Sequence, residues 1–245
     1  MSFDSTARFG ERAGDYARFR PGYPREAIEA VLEGFVAPAV ADLGAGTGIS
    51  SALLADSGAK VFAVEPNASM RSSIPTRPDV IPIDGTAEST NLPDRSIDVV
   101  TAFQAYHWFD PQRVLAEAVR IGRERLRFGA VWNERDPADA FAREYEAVVR
   151  PYMTDDTESR RRKSAIDDDL RARRWGRVRV LEFRHRQDLD WESLIGRTRS
   201  TSYLPREGPE YEAMAAQLRA LYDRAGDYGG AHFVLVTSVH LGERQ

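Results

Sequence analysis

No cysteine occurs among the 245 residues, which excludes disulfides and thiolate metal sites and removes the usual clue to redox compartment. Histidine is sparse as well. His107, His185, His232 and His240 show none of the paired spacing that metal ligation uses, so no metal is expected. No apolar run approaches the ~20 residues of a membrane span. The opening M-S-F-D-S-T-A-R-F-G-E-R lacks the continuous apolar core of a signal peptide, so a cytoplasmic protein without a membrane partner is expected. A net charge of −4 exerts no global pull toward nucleic acid. Repeats and low-complexity linkers are absent, and a single domain over 1–245 is expected.

What the chain does contain is a stretch from Ala39 to Pro66 around which the rest is arranged. It reads A-V-A-D-L-G-A-G-T-G-I-S-S-A-L-L-A-D-S-G-A-K-V-F-A-V-E-P. Val40–Leu43 is a short apolar run, Gly44, Gly46 and Gly48 punctuate a turn, and Ile49 to Ala55 has apolar residues at helical spacing. A second apolar run, Lys60–Val64, stops at Glu65. Strand, glycine turn, helix and strand make one half of a nucleotide-binding βαβ fold. Glycines let backbone approach a ligand at the helix N-terminus, and an acid ending the second strand can accept both ribose hydroxyls.

Dinucleotide folds usually read G-x-G-x-x-G/A with an acid about 20 residues on. Here the glycines run G-x-G-x-G, Asp42 stands close before them, and Glu65 comes 17 residues after Gly48. The D-L-G-A-G-T-G loop followed by V-E-P-N resembles the S-adenosylmethionine site of class I methyltransferases. That resemblance implies an α/β, Rossmann-like, seven-stranded and mostly parallel sheet with an antiparallel edge strand, an N-terminal helical lid and a helical insertion. It also implies S-adenosylmethionine as cofactor, S-adenosylhomocysteine as product, and cofactor contacts from Asp42, Gly44, Ala45, Gly46, Gly48, Glu65, Pro66 and Met70. Asp42 suits the cationic parts of that ligand.

Three further segments carry the resemblance. Tyr16 to Pro24, Y-A-R-F-R-P-G-Y-P, is similar to the entry of small-molecule methyltransferases of the trans-aconitate and ubiquinone-biosynthesis type. There it implies a lid in which Tyr16 covers the sulfonium and Arg20 pairs with the cofactor carboxylate; a surface helix with solvated arginines is the other reading. The D-G-T-A-E turn before L-P implies adenine contacts from Thr86, Ala87 and Glu88, with threonine where many members have aspartate. Phe103 to Asp110, F-Q-A-Y-H-W-F-D, follows a buried strand and faces ligands at its carboxyl end. It implies Gln104 on the methionine part of the cofactor, Tyr106 and Trp108 on the substrate, and His107 as a general base where the acceptor carries a proton. A histidine that only orients its neighbours is the alternative.

Beyond Pro111, helical spacing runs to Ile121. The Pro-Gly-Gly turn of many relatives is missing, so an unusual loop is expected before the strand Phe128 to Asn133. Asn133, at the carboxyl edge of that strand, is a substrate candidate, and the resemblance, in which the R-T-R-S-T-S-Y-L-P segment lies over the substrate cavity, implies Arg197, Ser202 and Tyr203 as further ones. The chain divides into 1–38 (lid and first helix), 39–135 (cofactor core) and 136–245 (helical insertion and C-terminal strands). Residues 158–186 hold 11 Lys and Arg against 5 Asp and Glu; a hydrated helix face plus an outer strand explains this, and attraction of an anionic substrate or RNA is the competing account. The expected protein is a methyltransferase acting on an O, N or C nucleophile of a small molecule, as monomer or homodimer, with no nucleic-acid partner. A nucleic-acid methyltransferase, a non-catalytic cofactor-binding protein and a NAD-binding oxidoreductase are the alternatives.

Overall fold

A computed structural model of the chain describes residues 19–153, 165–201 and 203–244. Tyr16 and Ser202, the Met1–Arg18 part of the expected lid, and residues 158–164 of the basic stretch lie outside them.

The apolar runs form seven strands: β1 Ala39–Leu43, β2 Lys60–Val64, β3 Val80–Ile83, β4 Ile97–Phe103, β5 Gly122–Arg135, β6 Gly176–Asp188 and β7 His232–Arg244. They make one sheet in the order β3-β2-β1-β4-β5-β7-β6. β1 to β5 pair in parallel, and β7 runs antiparallel between β5 and β6. The antiparallel pair expected at one edge is therefore β7 with β6. Strand order reverses between β1 and β4, the position at which sheets of this kind bind ligands beyond the carboxyl ends of their strands.

Helices cover both faces. α1 (Arg25–Leu32) and α2 (Ile49–Asp56) pack Ile28, Val31 and Leu54 on one side. α3 (Ala68–Ser72) follows β2, with Asn67 capping Met70 N–H at 3.0 Å. α4 (Pro111–Ile121) and α6 (Ile166–Ala172) bury Val114, Leu115, Ile166 and Leu170 on the opposite side. Both faces of β4 are thereby covered, which is why I-D-V-V-T-A-F carries little polar alternation. A third cluster forms where α5 (Ala140–Val149), α7 (Trp191–Arg199) and α8 (Gly208–Asp223) enclose Phe233 and Leu235 of β7.

α4 starts sharply because Asp110 accepts hydrogen bonds from Gln112 and Arg113 N–H at 2.8 and 3.1 Å, with Pro111 at the first helical position. It ends without a loop. Ile121 closes the helix and Gly122 opens β5 at an ordinary φ of −71°. A Cβ on Gly122 would crowd Leu126 and stand 2.8 Å from the Ala118 carbonyl oxygen, so the absent Pro-Gly-Gly turn is replaced by a direct helix-to-strand junction. Among the described residues, no helix is long and apolar enough to cross a membrane.

Candidate functional site

The glycine turn joins β1 to α2 through Gly44, Gly46 and Gly48 at φ of +65°, +59° and +83°. An L side chain in this left-handed region costs about 1–2 kcal/mol. Space is a second constraint at Gly44, where a Cβ would lie 3.0 Å from Ala105 Cβ and 3.1 Å from Phe109 Cζ. The end of β2 holds the turn in place. Gly44 and Ala45 N–H donate to the Val64 carbonyl at 2.9 and 3.1 Å, Gly46 N–H donates to Glu65 Oε2 at 2.9 Å, and Asn67 N–H donates to Glu65 Oε1 at 2.9 Å. Burial pushes the Glu65 carboxyl up, opposed by those two hydrogen bonds and by Arg71. The carboxylate keeps lone pairs free for ligand hydroxyls. Thr47 Oγ1 is buried in the same turn with no hydrogen-bond partner among the described residues, a state costing about 1–3 kcal/mol until a ligand or water relieves it.

Asp42 corrects one expectation. It is fully buried beneath the turn, where Ser50 Oγ and Ser51 Oγ donate to its Oδ2 at 2.7 Å each and Thr101 Oγ1 to its Oδ1 at 2.9 Å. Burial pushes its carboxyl up against those three bonds. The carboxylate therefore braces the first turn of α2 against β4 rather than facing a cationic ligand, and it reaches the surface of the site only through Ser50.

A cavity opens at the carboxyl edge of β1, β4 and β5. Gly44, Ala45 and Ser50 form its floor, Phe103, Gln104 and Asn133 its wall, and Arg20, Tyr23 and Arg197 its roof. Gln104 holds a left-handed φ of +54°, strained for a residue with a side chain. Two bonds fix it there: its N–H donates to the Val131 carbonyl at 2.8 Å and its Nε2 to the Asn133 carbonyl at 2.9 Å. Asn133 Nδ2 donates to the Gly22 carbonyl at 2.9 Å, while its Oδ1 faces His185 Nε2 at 3.3 Å and accepts from Thr237 Oγ1. Burial and the Arg197 charge lower the His185 pKa. Residues 19–22 are strapped across the roof, with Arg20 Nη2 donating to the Ser200 carbonyl at 3.4 Å and Gln187 Nε2 donating to the Phe19 carbonyl at 3.4 Å.

Other predicted residues fall in two groups beside the cavity. Glu65 and buried Met70 lie against Gly46, where a Cβ would stand 3.3 Å from Met70 Cε, and Pro66 is exposed. Thr86 is exposed in a tight turn closed by two backbone bonds to Ser89, Ala87 is buried, and Glu88 Oε1 accepts Asp110 N–H at 3.0 Å. Tyr203 packs with the third apolar cluster near Arg135 and Arg197.

The aromatic strip after β4 is a second correction. Tyr106 turns into the core against Phe109, Phe128 and Trp132, and its hydroxyl donates to Asp169 Oδ2 of α6 at 3.0 Å. Burial and Asp169 raise its pKa. Trp108 is 45% exposed and does not line the cavity. His107 is buried with Nδ1 3.3 Å from Trp132 Nε1. An indole nitrogen only donates, so Nδ1 is the acceptor and the proton of the neutral ring is assigned to Nε2. That tautomer offers no free basic nitrogen, and His107 lies outside the cavity lining, so the geometry supports the orienting role rather than a general base.

Sequence reasoning passed over Tyr23 and Phe103, whose rings meet edge-to-face at 4.7 Å, and Gln187, which accepts from Arg197 Nη1. Tyr23 stands in the quoted R-P-G-Y-P motif and Phe103 opens the quoted F-Q-A-Y-H-W-F-D segment, although neither was given a role; Gln187 gave no signal except position in a strand. In the basic stretch, Arg177 pairs with Glu243, Arg179 with Glu33, Arg184 with Asp136 and Arg186 with Asp188. Those ion pairs fit the hydrated-face reading of its excess charge.

Comparison with known proteins adds to this geometry. Residues 41–125 match the methyltransferase domain family. An uncharacterized methyltransferase of Mycobacterium tuberculosis is 40% identical over 147 residues, covering 60% of this chain and 60% of that protein. An uncharacterized methyltransferase-like protein of Schizosaccharomyces pombe is 27% identical over 152 residues, covering 60% of this chain and 59% of that one. The chain thus spans about 60% of the length of the curated relatives it matches. Among solved structures, a candidate type II methyltransferase from Anaeromyxobacter dehalogenans superposes with a TM-score of 0.64 at 26% identity, over 93% of this chain and 98% of that one. A candidate methyltransferase from an antibiotic biosynthesis pathway of Anabaena variabilis shares the fold, with a TM-score of 0.62 at 21% identity over 88% and 95% of the two chains.

Proposed function

We propose that the protein transfers a methyl group from S-adenosylmethionine to a small-molecule nucleophile, a reading supported by the match of residues 41–125 to the methyltransferase domain family and by the sheet shared with a solved candidate methyltransferase. The observation that carries this reading is the left-handed glycine turn, bonded through Gly46 N–H to Glu65 and holding the unpartnered Thr47 hydroxyl. Such a cradle fits a nucleoside with an amino acid tail. Glu65 would accept the ribose hydroxyls, the Gly44–Ala45 backbone would meet the amino acid end, and Arg20 would pair with its carboxylate. When bound, the cofactor supplies an electrophilic methyl group on a positively charged sulfur.

The chain's own contribution is positioning and exclusion of water. Tyr23 and Phe103 give the cavity an apolar wall, and Gln104 and Asn133 present fixed polar atoms beside it. No general base is assigned, because the His107 ring is committed to Trp132. On the same footing we place the enzyme in the cytoplasm, acting as monomer or homodimer.

The test is isothermal calorimetry with S-adenosylhomocysteine and, in parallel, NAD. Binding of the first and not the second is expected, with Glu65→Ala weakening affinity at least tenfold, about 1.4 kcal/mol. Preference for NAD, or an affinity untouched by Glu65→Ala, would remove the reading.

A further inference from the structure

An asparagine amide keeps its shape when turned end for end, so its hydrogen-bond partners alone decide which way it faces. Asn133, near the carboxyl end of β5, has partners on four sides. Its backbone carbonyl accepts from Gln104 Nε2 and so fixes the left-handed residue in the cavity wall. Its Nδ2 donates to the Gly22 carbonyl at 2.9 Å, a tie from sheet to strap that is shorter than the 3.4 Å bonds at Arg20 and Phe19. On the opposite side of the amide, Oδ1 accepts from Thr237 Oγ1 of β7 and faces His185 Nε2 of β6 at 3.3 Å.

The Gly22 carbonyl only accepts, so Nδ2 must point to it and Oδ1 to His185. A carbonyl oxygen cannot donate, which assigns the His185 proton to Nε2. Thr237 does not decide the matter, because a hydroxyl donates or accepts as required. Burial and the Arg197 charge lower the His185 pKa, so at neutral pH the ring is neutral and its proton has two places to sit. With that proton on Nδ1, the Nε2 lone pair would draw Nδ2 toward β6 and leave Oδ1 against the Gly22 carbonyl, two acceptors with no proton between them. Gly22, His185 and Gln187 line a second cavity, between the strap and β6, where water would take over the released carbonyl. One proton shift and one amide turn therefore separate a latched strap from an unlatched one. Resting on the methyl-transfer reading for what fills the inner cavity, we propose that His185 is a positioning residue: as an Nε2–H donor it sets the Asn133 amide, which latches the strap at Gly22 over the bound cofactor. His185 does not line the inner cavity, so it acts through Asn133, and its effect appears in how fast the cofactor leaves.

Nitrogen NMR of isotope-labelled histidine rings tests the tautomer in the unaltered protein saturated with S-adenosylhomocysteine at neutral pH, with the His185 signals identified by their loss in His185→Gln. A pyrrole-type Nε2 and a pyridine-type Nδ1 are expected; the opposite pattern would overturn the proposal. The latch is read from the rate of S-adenosylhomocysteine release. His185→Leu, which has no donor, should speed release about tenfold, the worth of one hydrogen bond. His185→Gln, whose amide donates to Oδ1 again, should return the rate to within about threefold of the parent. Asn133→Ala should release at least as fast as His185→Leu, and combining the two should add nothing, because residues that act through one contact are not additive. A side chain that merely fills space would instead give leucine and glutamine the same rate, or effects that add in the double variant, and either result overturns the proposal. Failure of the unaltered protein to bind S-adenosylhomocysteine removes the methyl-transfer reading and this inference together, whereas a release rate untouched by His185→Leu in a protein that binds it removes this inference alone.

Discussion

Gly44, Gly46 and Glu65 act as one device, because a left-handed turn exposes an N–H that the strand-ending carboxylate then fixes. Gly44→Ala should lose about 1–2 kcal/mol from backbone strain alone, a Tm drop of roughly 2–8 °C, with crowding against Ala105 and Phe109 adding to it. Gly46→Ala has the same backbone cost but meets only the flexible end of Met70. It should therefore lower Tm less than Gly44→Ala while also weakening S-adenosylhomocysteine binding. Equal Tm values for the two variants would show that the contacts around Gly44 carry no weight. This part of the site was legible because glycine spacing and a strand-ending acid are local signals. Asp42, His107 and Tyr106 were not, since each is decided by a residue distant in sequence: Thr101, Trp132 and Asp169. A polar residue near a ligand-binding edge carries no local mark of whether it faces the ligand or the core.

Elements were legible where periodicity was strong, as in the strand Lys60–Val64 and the helix from Pro111 to Ile121. Junctions were less so. The extension of β5 back to Gly122 depends on pairing with β4 through a register shift between Ile97 and Val99, which no local pattern announces. Glu117 of α4 ties that helix to the loop before β4. Its carboxylate accepts Thr90 N–H at 2.8 Å, Thr90 Oγ1 at 2.6 Å and the Arg120 guanidinium at 2.7 Å. Burial alone would raise its pKa, but the bonds from Arg120 and Thr90 outweigh it and hold the group at about 2. A carboxylate depressed on folding stabilises fully above its unfolded pKa of about 4.3 and loses that contribution as pH falls toward 2. The amount is on the order of 2–3 kcal/mol after allowing for solvent around Arg120. Urea denaturation across that range should show a steep acid limb that Glu117→Gln flattens. An unchanged limb in the variant would place the acid sensitivity in other carboxylates.

At the scale of the whole molecule, the cavity is assembled from three parts of the chain that share no sequence pattern: residues 20–23, the carboxyl ends of β1, β4 and β5 with the start of α2, and Arg197 of α7, which Gln187 of β6 holds. The first βαβ unit was readable from its apolar runs and glycine turn, and the resemblance that its motif carries implied the rest of the doubly covered, mostly parallel sheet. How α7 meets the strap was not. Gly196 of α7 faces Phe19 so closely that any Cβ would overlap the phenyl ring. Arg197, the next residue, sits in the roof of the cavity and donates to Gln187, whose own amide holds the Phe19 carbonyl. Gly196 thus sets how closely the strap approaches α7, while Gln187 holds the Arg197 guanidinium through Oε1 and the Phe19 carbonyl through Nε2. Gly196→Val should lift Phe19 while the sheet and its two flanking clusters remain intact, because none of their buried residues touches this contact. The expected result is a fall in S-adenosylhomocysteine affinity of about tenfold, or 1.4 kcal/mol, together with faster protease cleavage near Phe19 and far-ultraviolet circular dichroism unchanged from the parent. Unaltered affinity alongside the faster cleavage would mean that the strap covers the cavity without contributing to what it holds.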